Sequence, residues 1–111
     1  MLSHHVVTRA GTAYALYEGL LAEAHARGLR GIRTRLLQSP TGANGNVAVC
    51  LATVSTATGD FTATGEAGPG HAGLIPGRTL IQVAESRAKA RALRDALNAD
   101  VVPFEELDAD A

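Results

Sequence analysis

The sequence predicts an α+β domain: a helix, a three-stranded antiparallel β-meander and a long C-terminal helix packed on the sheet. Three observations predict this class. A helical pattern runs from Tyr14 to Arg27, three β-prone segments follow between residues 31 and 67, and an alanine-rich helical pattern runs from Leu80 to Asn98. Because the β-prone segments are joined by short turns, we expect them to pair antiparallel.

The length of 111 residues fits one domain, which we expect to span residues 1–104, followed by an acidic tail at 105–111. With two Phe, two Tyr and no Trp, the core must be aliphatic, and self-association would help to stabilise so small a core. The single cysteine, Cys50, excludes an internal disulfide and fits a reducing compartment. No segment resembles a signal peptide or a membrane span, and we therefore expect a cytoplasmic protein.

Each element is predicted from a local pattern. Residues 5–9 are β-prone and predict an edge strand, and Gly28 stands where a left-handed residue ends the first helix. The meander is predicted with strands at 31–38, 47–57 and 61–67, a loop at 39–46 and a tight turn at 58–60. Thr79 and Gln82 form a capping box that opens the last helix at Leu80. After that helix, we expect the C-terminal apolar residues to pack back on the domain: Val101, Val102 and Phe104.

The last helix carries a concentrated positive charge. Residues 84–97, AESRAKARALRDAL, hold three of the nine arginines and the only lysine of a chain whose net charge is −1. On a helix, Arg87, Arg91 and Arg94 form one stripe, with apolar strips on both sides. We expect the larger strip to pack on the sheet and the alanine strip to contact the first helix or a neighbouring subunit: Val83, Ala90, Leu93 and Leu97 in the first, and Ile81, Ala88, Ala92 and Ala96 in the second.

Two interpretations of this stripe stay open. Guanidinium groups about 6 Å apart along a helix suit successive phosphates. Alternatively, Glu85, Asp95 and the tail pair with the arginines, and the stripe is an ordinary solvated face. Arg33 and Arg35 project from one face of the first meander strand. If that strand and the helix border one groove, the five arginines line a track for a nucleic-acid backbone.

The remaining composition indicates binding without catalysis. Four of the 11 acidic residues lie at 105–111, so residues 1–104 carry 10 basic and 7 acidic side chains, and the tail is expected to be solubilising or to contact a partner protein. Few aromatics are present to stack on bases, so binding should be sequence-tolerant and salt-sensitive. The segment GPGHAG (68–73) matches Gly-x-Gly-x-x-Gly but does not run into a helix. No catalytic or zinc-ligand spacing occurs, and we expect a non-enzymatic protein without cofactor or metal.

The strand end FTATGEAGPG followed by AESRAKARALRDALN resembles a set of small bacterial proteins, and the pattern is similar to that of the single-strand annealing proteins. That family includes the eukaryotic recombination mediator, the phage Erf and Red-beta annealases and bacterial damage-response annealers. The resemblance covers about residues 30–98, with Gly65, Glu66 and Ala67 at the strand end. It implies rings or filaments that bind single-stranded DNA in a basic groove during repair or recombination. The implied groove residues are Arg33, Arg35, Arg87, Arg91 and Arg94.

Two other classes remain. The order α-β-β-β-α is also that of the double-stranded-RNA-binding domain, although that domain has a lysine cluster where this chain has PGRTL (76–80). The other class is a structural or regulatory oligomer without catalytic activity, in which Arg87, Arg91 and Arg94 would be buried against carboxylates in subunit interfaces.

Overall fold

The computed structural model describes residues 6–9, 12–15, 17–71, 79–98 and 102–103, and it has the predicted α+β class. In chain order the elements are β1 (Val6–Arg9), β2 (Thr12–Ala15), α1 (Tyr17–Ala26), β3 (Gly31–Gln38), β4 (Ala48–Thr56), β5 (Gly59–Ala67), α2 (Leu80–Leu97) and β6 (Val102–Pro103). Short 3₁₀ turns occur at Gly42–Asn44 and Pro69–His71. The acidic tail at 105–111, Val101 and Phe104 lie outside the described residues.

The N-terminal boundary of α1 differs from the prediction. Tyr14 and Ala15, predicted as helical, belong to β2, which pairs antiparallel with β1. The β-branched residues of β1 favour a strand, and pairing with them overrides the helical pattern at Tyr14. The predicted edge strand at 5–9 is confirmed as β1, which lies at the edge of a small sheet of order β1-β2-β6. Its third strand, Val102–Pro103, pairs parallel with β2.

The main sheet is the predicted antiparallel meander of order β3-β4-β5. Side chains alternate between two faces of this sheet. The helix face carries the buried residues of β4, namely Ala48, Cys50, Ala52 and Val54. We call the other side the open face: it carries Arg33, Arg35, Leu51, Thr53 and Thr64, all exposed or half-buried.

Helix α2 packs on the helix face, above β4 and β5. A methyl group on the buried Gly65 of β5 would meet the Ala84 carbonyl and the Ala88 amide nitrogen of α2. The alanine side of α2 therefore lies on the sheet at Ala88, and the expectation that this strip contacts the first helix or another subunit is wrong at this point. Small side chains here let the helix backbone approach the strand closely.

Helix α1 lies beside α2 and runs in the same direction. Lys89 stands over the Tyr17 ring at 5.7 Å from its centroid, and Arg27 Nη1 donates to the Leu97 carbonyl at 3.2 Å. The capping box of α2 is confirmed, since Thr79 and Gln82 exchange side chain to backbone hydrogen bonds of 2.9 and 3.2 Å. Among the described helices, none is long and apolar enough to cross a membrane.

Candidate nucleic-acid interface

The helix arginines reach the outer edge of β5. Arg87 is 3% exposed, and its Nη1 donates to the Glu66 carbonyl at 3.2 Å. One turn further along α2, Arg91 Nη1 donates to the Thr64 carbonyl at 2.9 Å. Arg91 also lies 3.5 Å from the Glu66 carboxylate. Both guanidinium groups therefore bind the strand beneath the helix, within one chain.

The spacing of the two elements explains this match. Four residues of a helix rise about 6 Å, and two residues of a strand about 6.6–6.8 Å. Residues four apart on α2 can thus reach carbonyls two apart on β5. Since β5 is an edge strand, alternate carbonyls would otherwise lack a partner on that side. Arg87 and Arg91 satisfy two of them and fasten the helix to the sheet.

The third member of the stripe is held differently. Arg94 is half-buried near the C-terminus of α2, where a positive charge is favourable, and its Nε has no hydrogen-bond partner among the described residues. Glu85 does not pair with the stripe in the described contacts. It accepts a hydrogen bond of 2.9 Å from Thr34 Oγ1 and lies 3.6 Å from Lys89 Nζ.

The strand arginines lie on the other side of the sheet. Arg33 stands opposite Thr53 and Arg35 opposite Leu51, which places all four on the open face. Both arginines are exposed, and within the described part of the chain neither side chain has a hydrogen bond or an ion pair. A depression of about 330 Å³ lies between them, lined by Arg33, Thr34, Arg35, Leu51 and Thr53. Of these residues, Arg33, Arg35, Leu51 and Thr53 have their side chains on the open face, whereas the Thr34 hydroxyl is on the helix face, where it donates to Glu85.

The five predicted arginines therefore do not line one groove. The sheet separates Arg33 and Arg35 from the buried Arg87, and the expectation of a common track within one chain is wrong. The structure adds Leu51 and Thr53 to the candidate site. The sequence did not reveal these two residues, because the residue types alone do not determine the register between strands. The burial of Arg87 had a sequence signal, since a residue with apolar strips on both sides stands near the centre of a buried face.

Charge is unevenly distributed over the open face. Arg33 and Arg35 stand on β3, whereas Asp60 and Glu66 stand on β5, across the central strand. Arg91 is 3.5 Å from Glu66 and offsets part of its charge. A polyanion would therefore follow β3 rather than cross the sheet, because the far edge repels it.

The other candidate groups do not assemble into a reactive site in the described residues. Cys50 is buried at 2% exposure, and burial, followed by the nearby Glu85 carboxylate, raises the pKa of its thiol. The described residues contain no group of three His, Cys, Asp or Glu side chains that could hold a metal ion. Of the segment 68–73, residues 69–71 form a 3₁₀ turn, and α2 begins only at Leu80.

No protein-family model, curated protein or solved structure matches the chain. What the site can do is therefore argued from its chemistry. Planar guanidinium groups bind phosphate or carboxylate oxygens through paired hydrogen bonds. Two of them on one exposed strand, beside Leu51 and Thr53, form a surface suited to an extended anionic chain.

Proposed function

We propose that the protein binds single-stranded DNA through its backbone phosphates, using Arg33 and Arg35 on the open face. Its role would be to protect or anneal strands during DNA repair or recombination. One observation carries the proposal: two exposed arginines flank a depression on the open face, and neither is neutralised by an acid among the described residues.

The composition of the depression supports contact with the backbone rather than with particular bases. Its lining contains no aromatic side chain, so bases have no stacking platform there. Arginine contacts to phosphates release counterions and weaken steeply with salt. The binding we propose is accordingly tolerant of sequence and sensitive to ionic strength.

The helix arginines have a different part in this proposal. Arg87 and Arg91 bind backbone carbonyls of β5 and fasten α2 to that strand. Arg94, half-buried at the end of α2, lies in the helix layer as well. The binding set that we propose is therefore reduced from five arginines to Arg33 and Arg35.

Fluorescence anisotropy of a labelled strand of about 30 nucleotides, at about 50 and 200 mM salt, tests the proposal. An Arg33→Gln/Arg35→Gln variant should bind at least about tenfold more weakly, and the slope of log K against log salt should fall by about 1.4, the value for two single-strand phosphate contacts. The matched control is Arg27→Gln/Lys89→Gln, which removes the same charge from the helix layer.

The outcomes separate cleanly. A control that binds like the wild type, beside a weakened double variant, supports the open face as the site. An equal loss of affinity in both variants would mean that only the net charge of the protein matters, and would contradict the proposal. If the wild type does not bind the strand at the lower salt concentration, the proposal that the protein binds single-stranded DNA is wrong.

A second candidate function is the binding of double-stranded RNA. It is favoured by the element order α1-β3-β4-β5-α2, which is also that of the double-stranded-RNA-binding domain, with the two helices side by side and running in one direction. The same assay distinguishes the two. Unlabelled single-stranded DNA should displace the probe at lower concentration than duplex RNA of equal length. The reverse order would favour the RNA-binding function.

A further inference from the structure

The two edges of the main sheet differ in whether side chains bind their outer backbone groups. The outer edge of β5 is covered at two carbonyls by Arg87 and Arg91. On the opposite side, β3 pairs with β4 alone among the described elements, and no described side chain binds its outer backbone groups. In the described chain, arginines therefore obstruct the β5 edge at two carbonyls, whereas the β3 edge is available for strand pairing.

The register identifies the outward groups of β3. Antiparallel neighbours alternate between hydrogen-bonded and non-hydrogen-bonded pairs. The Thr64 carbonyl points away from β4, so Thr64 and Leu51 form a non-hydrogen-bonded pair. Leu51 therefore directs its backbone N–H and C=O toward Arg35 of β3. The backbone groups of the alternate β3 residues consequently point off the edge: Ile32, Thr34 and Leu36.

Exposed apolar side chains collect at the same edge. The large hydrophobic residues that stand out as exposed in the described chain are Leu36 at 43%, Leu37 at 46% and Ile81 at 38%. Two of them are on β3, and Leu36 is paired with Cys50, whose Sγ lies 3.9 Å from the Ile81 carbonyl. An unpaired edge beside exposed apolar side chains is a surface for association.

We infer that a second copy of this chain pairs with β3 antiparallel, about a twofold axis at Thr34, and that the two sheets become one of six strands. In this register Ile32 stands opposite the partner's Leu36, so apolar side chains face each other and Leu36 becomes covered. We expect the assembly to close at two copies, because Arg87 and Arg91 already bind two outward carbonyls of β5 and obstruct strand pairing there. This twofold pair replaces the ring that the sequence resemblance implied.

The dimer changes the candidate site. On the open face, Arg33 comes to stand opposite the partner's Arg35 and Arg35 opposite the partner's Arg33, so that four arginines, two on each strand, form one cluster at the junction. Like charges placed opposite each other destabilise a strand pair, and counterions relieve that repulsion. Salt should therefore strengthen the dimer while it weakens binding to DNA. Only this coupling rests on the proposed function; the strand pairing does not.

Sedimentation velocity without nucleic acid, over a range of protein concentrations and at two salt concentrations, tests the inference. We expect a species of twice 11.4 kDa that dissociates on dilution and is favoured by salt. Leu36→Lys, which places a charge in the junction, should raise the dimer Kd by about tenfold or more. Thr34→Pro removes an outward N–H and should do the same, whereas Thr34→Ala loses only the side-chain bond to Glu85 and serves as its control.

The results test the dimer and the proposed DNA binding independently of each other. A wild type that stays monomeric at about 100 µM overturns the dimer. So does a dimer that is unaffected by Leu36→Lys, provided circular dichroism shows the variant folded. A monomer that still binds the labelled strand would contradict only this inference, and a dimer that does not bind it would contradict only the proposed function.

Discussion

The Arg91 guanidinium donates a hydrogen bond of 2.9 Å to the backbone carbonyl of Thr64, at the outer edge of the sheet. Arg87 makes the equivalent bond to the next free carbonyl, that of Glu66. Charge that appears in the sequence as a phosphate-binding stripe is thus used, at these two positions, to end a β-sheet and to dock a helix. On the other side of the sheet, Arg33 and Arg35 of β3 are exposed.

Replacing Arg87 by methionine should destabilise the fold by about 1–3 kcal/mol, because the Glu66 carbonyl loses its donor beneath the helix. Methionine preserves much of the unbranched bulk, so packing changes little. Urea unfolding measures the effect, with the exposed Arg33→Met as control, expected within about 0.5 kcal/mol of the wild type. An Arg87→Met protein of unchanged stability that no longer binds DNA would return Arg87 to the binding surface.

Gly65→Ala should cost about 1–3 kcal/mol or more, since the added methyl meets the backbone of α2 at Ala84 and Ala88, which cannot move aside as a flexible side chain would. Gly31→Ala is the matched control, because Gly31 also lies in a strand and nothing is within 4 Å of the added atom. Thermal unfolding of both variants checks the difference. Equal melting temperatures would mean that the close approach of helix and strand is not as described.

Replacing Arg91 by methionine should uncover the β5 edge. The Thr64 carbonyl then lacks its donor, and a strand edge without such protection is available for pairing with another chain. We expect species larger than the dimer in sedimentation velocity, growing with concentration. Lys89→Met removes the same charge two residues away in α2, from a side chain that lies over Tyr17 and beside Glu85, and should not produce them. If it does, loss of charge alone is the cause.

Stability should fall at high pH through Cys50. Burial, and to a lesser extent the Glu85 carboxylate, raise the pKa of this thiol above its ordinary value in the folded chain. As pH rises past that value, the unfolded chain releases the proton first, so the stabilising contribution is present below it and is lost above it. Urea unfolding at about pH 7 and about pH 10 should show a larger loss for the wild type than for Cys50→Ala. If the wild type and Cys50→Ala lose equal stability between these pH values, the thiol is not the cause of the loss.

The sequence was a good guide wherever a local pattern decides the structure. The capping box of Thr79 and Gln82 sets the start of α2, and Asn98, in the left-handed conformation, ends it one residue from the predicted limit. The strand predicted at 31–38 is confirmed at its exact limits. At Tyr14 the helical pattern lost to pairing with β1, which is a contact between segments.

The candidate site was only partly predictable, for a physical reason. Alternation along the chain shows that Arg33 and Arg35 share a face, but not which face α2 covers. That choice depends on close packing at Gly65, where only a residue without a side chain admits the helix. The partners of Arg87 and Arg91 are backbone carbonyls of β5, which no residue type reveals.

The most direct test of the central claim is an NMR titration of the ¹⁵N-labelled protein with a single strand of DNA. If the open face binds the phosphates, the largest amide shifts will cluster at Arg33, Arg35, Leu51 and Thr53, and the amides of α2 around Arg91 will move little. Shifts centred on α2, with those four amides unchanged, would contradict the account and assign the binding to the helix.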